Sequence, residues 1–534
     1  PLRVAASAAA ALRREAAERQ AEVTVEPAGR TYVVDPGSTL LEVAEVSGMK
    51  IEYGCRLGFC GADPVAIRAG AENLSPIEKE ERITLARLGL APNTRMACCA
   101  RVHGPVTMSL EAQRGAAPTY ERIEDFEYDP AVGSVVVVGS GIAGVTAADH
   151  VRRRHPDCEI HVIGRETHQL YNRMAISRLI YGRSAMQGLY LLSDPWFDEQ
   201  RITSWLNTRA VAVDPDRRQV RLGTGEALRY DRLVLATGSS SFVPEVVGFG
   251  SPGTFVLREA GDAMAIRSFA QEAGCRRAVV AGGGLLGLEA AYALHKLGLK
   301  VSVLERSGTL LRRQLDDAGG RLLRRYLEGL GLEVVLEAAA AEVEGDGRPR
   351  RVRLEDGREL PCDLFLVSAG ISPNVDLARD AGLEVNRGVL VDDHMRTSGP
   401  DIFAAGDVAE HRGQVYGQWP AAVEQAEVAA LNAVGGDDAF SGWTPITVLK
   451  VVGVDLTSIG RLEPAADDDL VITIEEIDRD RYAKLLVSDG RIVGAILLGY
   501  PREAPAVSAA IKGELDVSDR IEALRAGDWS ALRG

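Results

Sequence analysis

The chain has 534 residues, enough for three or four domains, and its 46% hydrophobic and 26% charged residues exclude a fibrous or largely disordered protein. The 61 basic and 76 acidic residues give a formal net charge of −15, which argues against nucleic acid or an anionic membrane as the main partner. No uncharged apolar run is long enough for a membrane span and no signal peptide is visible, so we expect a cytoplasmic protein.

The first elements of the chain predict a small domain. Residues 1–20 are rich in Ala, Arg and Glu and predict an exposed helix or a linker. Residues 21–37 predict two strands, and Thr39 with Glu42 forms a capping box that opens a helix. A loop rich in Gly and Cys follows at residues 53–63.

Four of the seven cysteines crowd into this part of the chain, at Cys55, Cys60, Cys98 and Cys99. This crowding indicates metal or redox chemistry in a reducing compartment rather than a disulfide framework. Cys55-x4-Cys60-x2-Asp63, followed after 34 residues by Cys98, differs at one position from the plant-type [2Fe–2S] spacing. The short spacing lets one loop wrap a cluster, and the distant residue closes the site.

Residues 21–111, with the segments CRLGFCGADPV and RMACCARVHGPVTM, resemble plant-type ferredoxins in their bacterial form. The resemblance implies a β-grasp fold with a [2Fe–2S] cluster, although Asp63 stands where that family has its third Cys. Three interpretations remain open: Asp63 ligates iron through oxygen, Cys99 supplies the fourth ligand, or the cluster is lost. Adjacent strand residues point to opposite faces, which disfavours Cys98 and Cys99 as co-ligands. We therefore expect the ligands Cys55, Cys60, Asp63 and Cys98.

A buried strand, a glycine loop and a helix follow one another in VVVVGSGIAGVTAADHV, residues 135–151. Gly139 permits the tight turn, Gly141 lets the backbone approach a pyrophosphate, and Gly144 lets helix and strand pack closely. The helix N-terminus offers N–H groups to the phosphates. Glu166 lies 22 residues after Gly144, where a carboxylate accepts from a ribose hydroxyl.

The same pattern recurs in AVVAGGGLLGLEAAYALHKLG, residues 278–298, so the chain contains a duplicated type of unit. Glu305 follows the next strand and favours the free 2′-hydroxyl of NADH over the 2′-phosphate of NADPH. The adjacent Arg306 leaves NADPH possible. The loop glycines expected to bind the nicotinamide nucleotide are Gly282, Gly284 and Gly287.

Two further motifs, ATGS with Thr237 and Gly238 and AAGD with Gly406 and Asp407, each end an apolar strand. With both glycine loops and SAGISPN, they make residues 134–435 resemble the glutathione-reductase-like flavoprotein reductases. This resemblance implies that the first loop binds FAD, that the second binds NAD(P)H and that Asp407 binds the FAD ribitol.

The segments LYNR, ending at Arg173, and ISR, ending at Arg178, resemble rubredoxin reductases, ferredoxin reductases of aromatic-ring dioxygenase systems and the reductase part of assimilatory nitrite reductase. We expect Arg173 among the cofactor-binding residues. The resemblance places Arg178 and Glu289 where ferredoxin reductases pair Lys with Glu near the flavin N5. Arg and Lys are not interchangeable, so an ordinary surface pair remains an alternative. No Cys pair stands at the flavin position, which disfavours dithiol chemistry.

The sequence predicts a multidomain α/β protein with an N-terminal β-grasp ferredoxin-like domain and two Rossmann-like domains, the NAD domain being inserted in the FAD domain. A C-terminal α+β domain, similar to the third domain of the nitrite reductase module, completes it. The expected boundaries are a helical extension at 1–20, the ferredoxin-like domain at 21–111, a linker at 112–133, the FAD domain at 134–256 and 374–435, the NAD(P)H domain at 257–373 and the C-terminal domain at 436–534.

These domains together predict an NAD(P)H-dependent oxidoreductase that passes electrons from NADH through FAD to the fused [2Fe–2S] cluster. The expected final acceptor is an external protein such as an oxygenase, a cytochrome or another carrier. Two alternatives remain: a redox-sensing module with an altered cluster, and a reductase of a small molecule at the flavin.

Overall fold

The computed structural model forms two compact units. One contains the described residues up to 113 together with Tyr190–Glu199, and the other contains the rest. The predicted extension at 1–20 lies outside the described residues, which are 21–49, 51, 53–113, 123, 126–182, 185–443 and 446–532.

The first unit contains a mixed five-stranded sheet of β1 (Ala21–Glu26), β2 (Arg30–Val34), β3 (Pro64–Ala69), β4 (Thr94–Met96) and β5 (Val106–Ser109). The strand order is β2-β1-β5-β3-β4, with β1 and β5 parallel. Its helices are α1 (Leu40–Val46) and α2 (Lys79–Arg87), and Trp196–Glu199 forms a separate helical turn. The predicted capping box opens α1, since Glu42 N donates to Thr39 Oγ1 and Thr39 N donates to the Glu42 carboxylate.

The second unit begins with strands and helices that alternate. The strands are β6 (Ser134–Val138), β7 (Glu159–Ile163), β8 (Thr203–Trp205), β9 (Ala210–Asp214), β10 (Gln219–Leu222), β11 (Ala227–Arg229), β12 (Arg232–Leu235) and β13 (Ser239–Ser241). The helices are α3 (Ile142–Arg154) and α4 (Ser177–Ile180).

A similar alternation follows. Its strands are β14 (Thr254–Val256), β15 (Arg277–Ala281), β16 (Lys300–Glu305), β17 (Glu333–Leu336), β18 (Ala340–Glu344), β19 (Arg351–Leu354), β20 (Glu359–Pro361), β21 (Leu364–Val367) and β22 (Ile371–Pro373). Its helices are α5 (Ala260–Glu272), α6 (Leu285–Lys296) and α7 (Asp317–Gly329). The chain then forms α8 (Asp376–Asp380), β23 (Val389–Val391), β24 (Ile402–Ala404), β25 (Ala409–His411) and α9 (Trp419–Ala433).

Two parallel five-stranded sheets organise these elements, with the orders β24-β12-β6-β7-β8 and β14-β21-β15-β16-β17. The central strands β6 and β15 each lead into a glycine loop and a helix. Parallel strands of this kind are covered on both faces, which explains the run of valines in β6, all at most 5% exposed. The chain crosses between the two sheets through β13 and β22, which pair antiparallel.

The C-terminal sheet is antiparallel and consists of β26 (Ile446–Val451), β27 (Val454–Gly460), β28 (Leu470–Glu476), β29 (Arg481–Ser488) and β30 (Arg491–Leu498). Its order is β26-β27-β30-β29-β28. Helices α10 (Ala504–Lys512) and α11 (Ile521–Arg525) follow this sheet. Short 3-10 turns cover Ala71–Asn73, Arg173–Ala175, Met186–Gly188, Gly406–Val408, Ile477–Arg479, Ser518–Arg520 and Trp529–Leu532.

Part of the predicted linker at 112–133 is packed structure. Val132 is fully buried, and Asp129 N donates to Val434 O at 2.8 Å. Residues 114–122, 124 and 125 lie outside the described residues. Among the described residues, no helix is both long enough and apolar enough to cross a membrane.

A buried ion pair fixes the segment that carries the last predicted cluster ligand. Glu81 on α2 is fully buried and accepts from Arg95 Nε at 2.8 Å and from Met96 N at 2.8 Å. Arg95, only 7% exposed, also donates to Ser75 O at 2.9 Å. Because Met96 ends β4 directly before the Cys98 turn, this carboxylate positions that turn.

We expect Glu81→Ala to destabilise this segment by about 3–5 kcal/mol, because it leaves the Arg95 guanidinium buried and uncompensated. Hydrogen exchange of peptides covering residues 94–102 in the full chain measures the local effect. Asp214→Ala is the control, since the Asp214–Arg217 pair is exposed and lies in the other unit, so its loss should leave exchange at residues 94–102 unchanged. Equal exchange in both variants would contradict the prediction.

Candidate functional site

The first glycine loop requires two of its glycines for steric reasons. Gly139 has φ +128°, and a Cβ built there would lie 1.9 Å from Ala236 O. A Cβ on Gly144 would lie 1.8 Å from Gly139 O. A Cβ on Gly141 would meet nothing within 4 Å, so this glycine borders open space. The loop therefore has two packing glycines and one that leaves room for an approaching ligand.

The second loop repeats this arrangement. A Cβ on Gly282, at φ +132°, would lie 2.1 Å from Ser368 O, and one on Gly287 would lie 2.0 Å from Gly282 O. Gly284 again borders open space within 4 Å. The two loops therefore share the spacing and the steric roles of these three glycines. The second loop has a fourth glycine, Gly283, whose Cβ would lie 2.6 Å from Leu310 Cδ2.

Both open glycines are N-caps of helices. Gly141 caps α3 and Gly284 caps α6, and no side chain of the described residues caps either helix. The first-turn N–H groups therefore point into the space beside each open glycine, where a pyrophosphate is favoured by hydrogen bonding and by the helix dipole. Each loop fits one dinucleotide.

The carboxylate of Glu166 lies at the centre of a polar network. Tyr171 Oη donates to Glu166 Oε2 at 2.6 Å, and Arg173 donates to Oε1. Arg173 also donates to Tyr171 Oη at 2.9 Å, and Ala260 N donates to the same oxygen at 3.0 Å. Burial raises the pKa of Tyr171, so the phenol stays protonated and keeps donating. Each Glu166 oxygen retains a further lone pair for a ribose hydroxyl.

The carboxylate of Glu305 is oriented by its own loop. Gly283 N donates to Oε2 at 2.9 Å, while Ser307 N and Oγ both donate to Oε1 at 2.8 Å. These contacts place the acid beside the second glycine loop, where the sequence predicts it.

Asp407 is held by two donors that bind the same oxygen. Arg258 Nη2 lies 2.6 Å and Ser239 Oγ 2.8 Å from Asp407 Oδ2. Nearby, Thr237 and Asn374 form a reciprocal pair, in which Thr237 Oγ1 donates to Asn374 O at 2.9 Å and Asn374 Nδ2 donates to Thr237 O at 2.8 Å. The ATGS and AAGD motifs thus converge around the Asp407 carboxylate.

Glu289, on α6, receives hydrogen bonds from two different elements. Ser177 Oγ on α4 lies 3.4 Å from Oε2, and Val452 N donates to Oε1 at 3.0 Å. Arg178 follows Ser177 on α4, which packs against α6. The predicted Arg178–Glu289 ion pair remains a proposal.

In the first unit, Cys55 and Cys60 form one pair of buried thiols. Cys55 N donates to Cys60 Sγ at 3.4 Å, and Cys60 N donates to Cys55 Sγ at 3.3 Å. The hydrogen bond between the two thiols lowers the pKa of Cys55 and raises that of Cys60. Leu57 N also donates to Cys55 Sγ at 3.4 Å. Backbone N–H groups directed at sulfur are a feature of iron–sulfur sites.

Asp63 and Cys98 form a second pair. Cys98 N donates to Asp63 Oδ2 at 2.6 Å, and Asp63 Oδ1 is buried with no hydrogen-bond partner. Burial raises the pKa of Asp63 to about 6, although the Cys98 hydrogen bonds lower it. A carboxylate that is 1% exposed and has an oxygen without a hydrogen-bond partner fits the chemistry of a metal ligand.

Cys99 was disfavoured as an iron ligand because adjacent strand residues point to opposite faces, and this argument is wrong here. Residues 97–99 form a turn after β4 rather than part of a strand, so Cys98 and Cys99 do not point to opposite faces. Their sulfurs lie 3.8 Å apart. A Cβ on Gly58 would lie 2.8 Å from Cys99 Sγ, which brings this thiol against the loop after Cys55. Cys99 therefore remains a geometric alternative to Asp63.

No group of three His, Cys, Asp or Glu side chains in the described ranges is placed to hold a single metal ion. A [2Fe–2S] cluster instead takes two donors on each of its irons. The arrangement of Cys55 with Cys60, and of Asp63 with Cys98, fits that requirement in number and in burial.

Sequence reasoning did not assign a role to several residues of the nucleotide sites. Arg258 belongs to no motif, yet it binds Asp407. Ser239 and Tyr171 stand inside recognised segments, and their hydroxyl groups could have been predicted as partners of the nearby acids. Asn374 ends the SAGISPN segment and binds Thr237.

Three protein-family models match the chain. Residues 133–426 match the pyridine nucleotide-disulphide oxidoreductase family, residues 445–515 match the rubredoxin NAD+ reductase C-terminal domain, and residues 23–103 match the 2Fe-2S iron-sulfur cluster binding domain. These matches imply FAD and NAD(P)H for the second unit and a [2Fe–2S] cluster for the first.

Curated relatives cover mainly the second unit. The assimilatory nitrate reductase electron transfer subunit of Bacillus subtilis (strain 168) is 35% identical over 72% of this chain and 50% of its own length. The biphenyl dioxygenase system ferredoxin–NAD(+) reductase component of Paraburkholderia xenovorans (strain LB400) is 32% identical over 72% of this chain and 95% of its own. The chain thus spans about half the length of the Bacillus relative.

Solved structures agree with this fold. The covalent putidaredoxin reductase–putidaredoxin complex superposes with a TM-score of 0.67 at 27% identity. The match covers 75% of this chain and 98% of that one.

We expect Gly141→Ala to fold but to lose most of its FAD, because the added methyl occupies the space reserved for the pyrophosphate. Gly284→Ala should retain FAD and raise the KM for NADH at least about tenfold, which is a loss of about 1.4 kcal/mol of binding. Absorbance of the purified protein gives the flavin content, and steady-state kinetics gives the KM.

Gly261→Ala is the control for both variants. A Cβ on this exposed residue of α5 also meets nothing within 4 Å, but Gly261 lies in neither loop. Full FAD content in Gly141→Ala, or an unchanged KM in Gly284→Ala, would show that the open glycines do not border the cofactors.

We expect Asp63→Cys to retain a [2Fe–2S] signal with a shifted reduction potential, because a thiolate replaces a harder oxygen donor. Asp63→Ala should lose cluster iron, whereas Asp35→Ala, at an exposed acid of the same unit, should not. Iron counting and EPR after anaerobic reconstitution provide the measurement. Unchanged iron and potential in Asp63→Ala would assign the fourth ligand to Cys99.

Proposed function

Because the chain belongs to the pyridine nucleotide-disulphide oxidoreductase family, we propose that it transfers electrons from NADH through FAD to its own [2Fe–2S] cluster and on to an external protein. One observation carries the proposal. The same chain has two glycine loops, each with a glycine that borders open space, and a separate set of four buried side chains that could ligate iron.

Bound FAD takes a hydride from a nicotinamide and gives up electrons singly, which suits a cluster that accepts one electron at a time. The residues of this chain supply binding and orientation. The N-terminus of α3, beside Gly141, receives the FAD pyrophosphate. Glu166 accepts from the ribose, and Asp407 accepts from the ribitol while Arg258 and Ser239 hold it in place.

The second loop sets the choice of nicotinamide nucleotide. The N-terminus of α6, beside Gly284, receives the pyrophosphate of NADH. Glu305, oriented by Gly283 N and Ser307, accepts from the adenosine ribose and repels a 2′-phosphate. The neighbouring Arg306 allows some use of NADPH.

Arg178 and Glu289 lie beside the flavin in this proposal. The contact of Ser177 with Glu289 supports it, since it brings the start of α4 to the carboxylate on α6. A guanidinium next to a carboxylate there stabilises negative charge on the reduced cofactor. Neither side chain forms a bond to the substrate.

In the first unit, Cys55, Cys60, Asp63 and Cys98 would hold the [2Fe–2S] cluster, which would accept one electron at a time. The unsatisfied Asp63 Oδ1 supports this assignment, because coordination would satisfy it. A carboxylate donor distinguishes this cluster from one held by four thiolates.

The final acceptor is an external redox protein, such as an oxygenase, a cytochrome or a further carrier. The relatives support a role as a reductase component, since their names describe an electron transfer subunit and a ferredoxin–NAD(+) reductase component.

Anaerobic titration with NADH, followed by absorbance and EPR, tests the proposal. We expect one FAD and two irons per chain, bleaching of the flavin, and then the EPR signal of a reduced [2Fe–2S] cluster. In stopped-flow measurements, flavin bleaching should precede cluster reduction.

Cys60→Ser is the matched variant. It should lose the cluster signal while flavin bleaching continues at the parent rate, because Cys60 is in the other unit. A cluster that dithionite reduces but NADH does not would contradict electron relay and favour a redox-sensing module.

A further inference from the structure

A two-residue turn of the C-terminal sheet holds a β-branched residue in the left-handed region. Val452 and Gly453 join β26 to β27 with φ +53° and +99°, the signs of a type I′ hairpin turn. Such turns favour Asn-Gly or Gly-Gly, and Val at positive φ is strained. Val452 is also 1% exposed. Strain of this kind persists only where surrounding contacts impose it.

The contacts of the turn lead to the nucleotide-binding part of the second unit. Val451 pairs with Val454 in the hairpin, so the N–H of Val452 lies outside the strand ladder. It donates to Glu289 Oε1 on α6 at 3.0 Å. Tyr326 Oη on α7 donates to Val452 O at 3.3 Å. The N–H and the C=O of Val452 are therefore each hydrogen-bonded to a helix of the nicotinamide domain, the N–H to α6 and the C=O to α7.

Glu289 is consequently fixed from two sides, by Ser177 of α4 on Oε2 and by the hairpin turn on Oε1. A hydrogen bond to each oxygen sets the torsion of the carboxylate group. The left-handed conformation of Val452 closes the two-residue turn between β26 and β27, and this turn holds the Val452 N–H against Glu289.

We propose that the Val452–Gly453 turn is a positioning element, through which the C-terminal domain holds the Glu289 carboxylate in its orientation beside the flavin. The inference rests on the role of Glu289 in the proposed function. It assigns the C-terminal domain a part in the redox site as well as in the fold.

Inserting one glycine between Val452 and Gly453 in the full-length holoprotein tests this, because the longer turn moves the N–H away from Glu289. We expect flavin reduction at saturating NADH to slow roughly tenfold while half-saturation by NADH stays within about twofold, as for loss of a transition-state interaction. The flavin midpoint potential should shift in the same direction as in Glu289→Gln.

The control is the same insertion in the Asp489–Gly490 turn. That turn joins β29 to β30 of the same sheet, also with two positive φ values, +49° and +73°, and its near neighbours are Asp516 and Ser518 of the C-terminal domain. It should keep the parent rate and potential. Val452→Asn, which keeps the N–H in a favoured type I′ sequence, should keep the parent potential.

Hydrogen exchange gives a readout independent of turnover. The Val452 amide should be protected in the parent chain and lose protection in Glu289→Ala, while the amides of β29 and β30 stay protected. Unchanged protection would overturn the inference.

The experiments distinguish failure of the turn's positioning role from failure of the role assigned to Glu289. If Glu289→Gln alters the potential but the Val452 insertion leaves it unchanged, the turn does not position Glu289 and only this inference is overturned. If Glu289→Gln itself leaves the rate and potential unchanged, the assigned role of Glu289 is wrong, and the inference is overturned with it.

Discussion

Both nucleotide-binding domains depend on backbone approaches that leave no room for a methyl group. At Gly139, Gly144, Gly282 and Gly287, a Cβ would lie within 2.1 Å of a carbonyl oxygen. These approaches bring each helix N-terminus against the end of a parallel strand, and Gly141 and Gly284 face open space. Because the strand, the loop and the helix are fixed together, the N–H groups that receive a pyrophosphate are oriented before any cofactor arrives.

Local pattern explains why so much of this architecture could be predicted from the sequence. The capping box at Thr39 and the two strand, glycine loop and helix units depend on residues close in the chain, and the structure has them where the sequence predicts. Glu166 and Glu305 come at or just after the end of the next strand of each unit, and their ribose contacts stay a prediction. The ferredoxin-like domain is recognisable for the same reason, since three of its four expected ligands keep the family spacing.

What the sequence left undetermined depends on distant contacts or on turns. Arg258 meets Asp407 across 149 residues, and no local pattern announces that ion pair. Cys98 and Cys99 look like strand neighbours in sequence, yet a turn brings their sulfurs to 3.8 Å. The hairpin turn within VVGVDL has Val rather than Asn at its first position. Local propensity gives way there to a contact 163 residues away, that of Val452 with Glu289.

The pairing of β13 with β22 has a consequence for how such a chain can be rebuilt. Ser239 lies opposite Pro373, so the polypeptide leaves the first parallel sheet and returns to it at neighbouring points. Everything between these points is one continuous segment whose two ends are already joined by a ladder. A homologous segment with a different dinucleotide preference could be grafted across the same two strands without lengthening the chain or separating the halves of the host sheet.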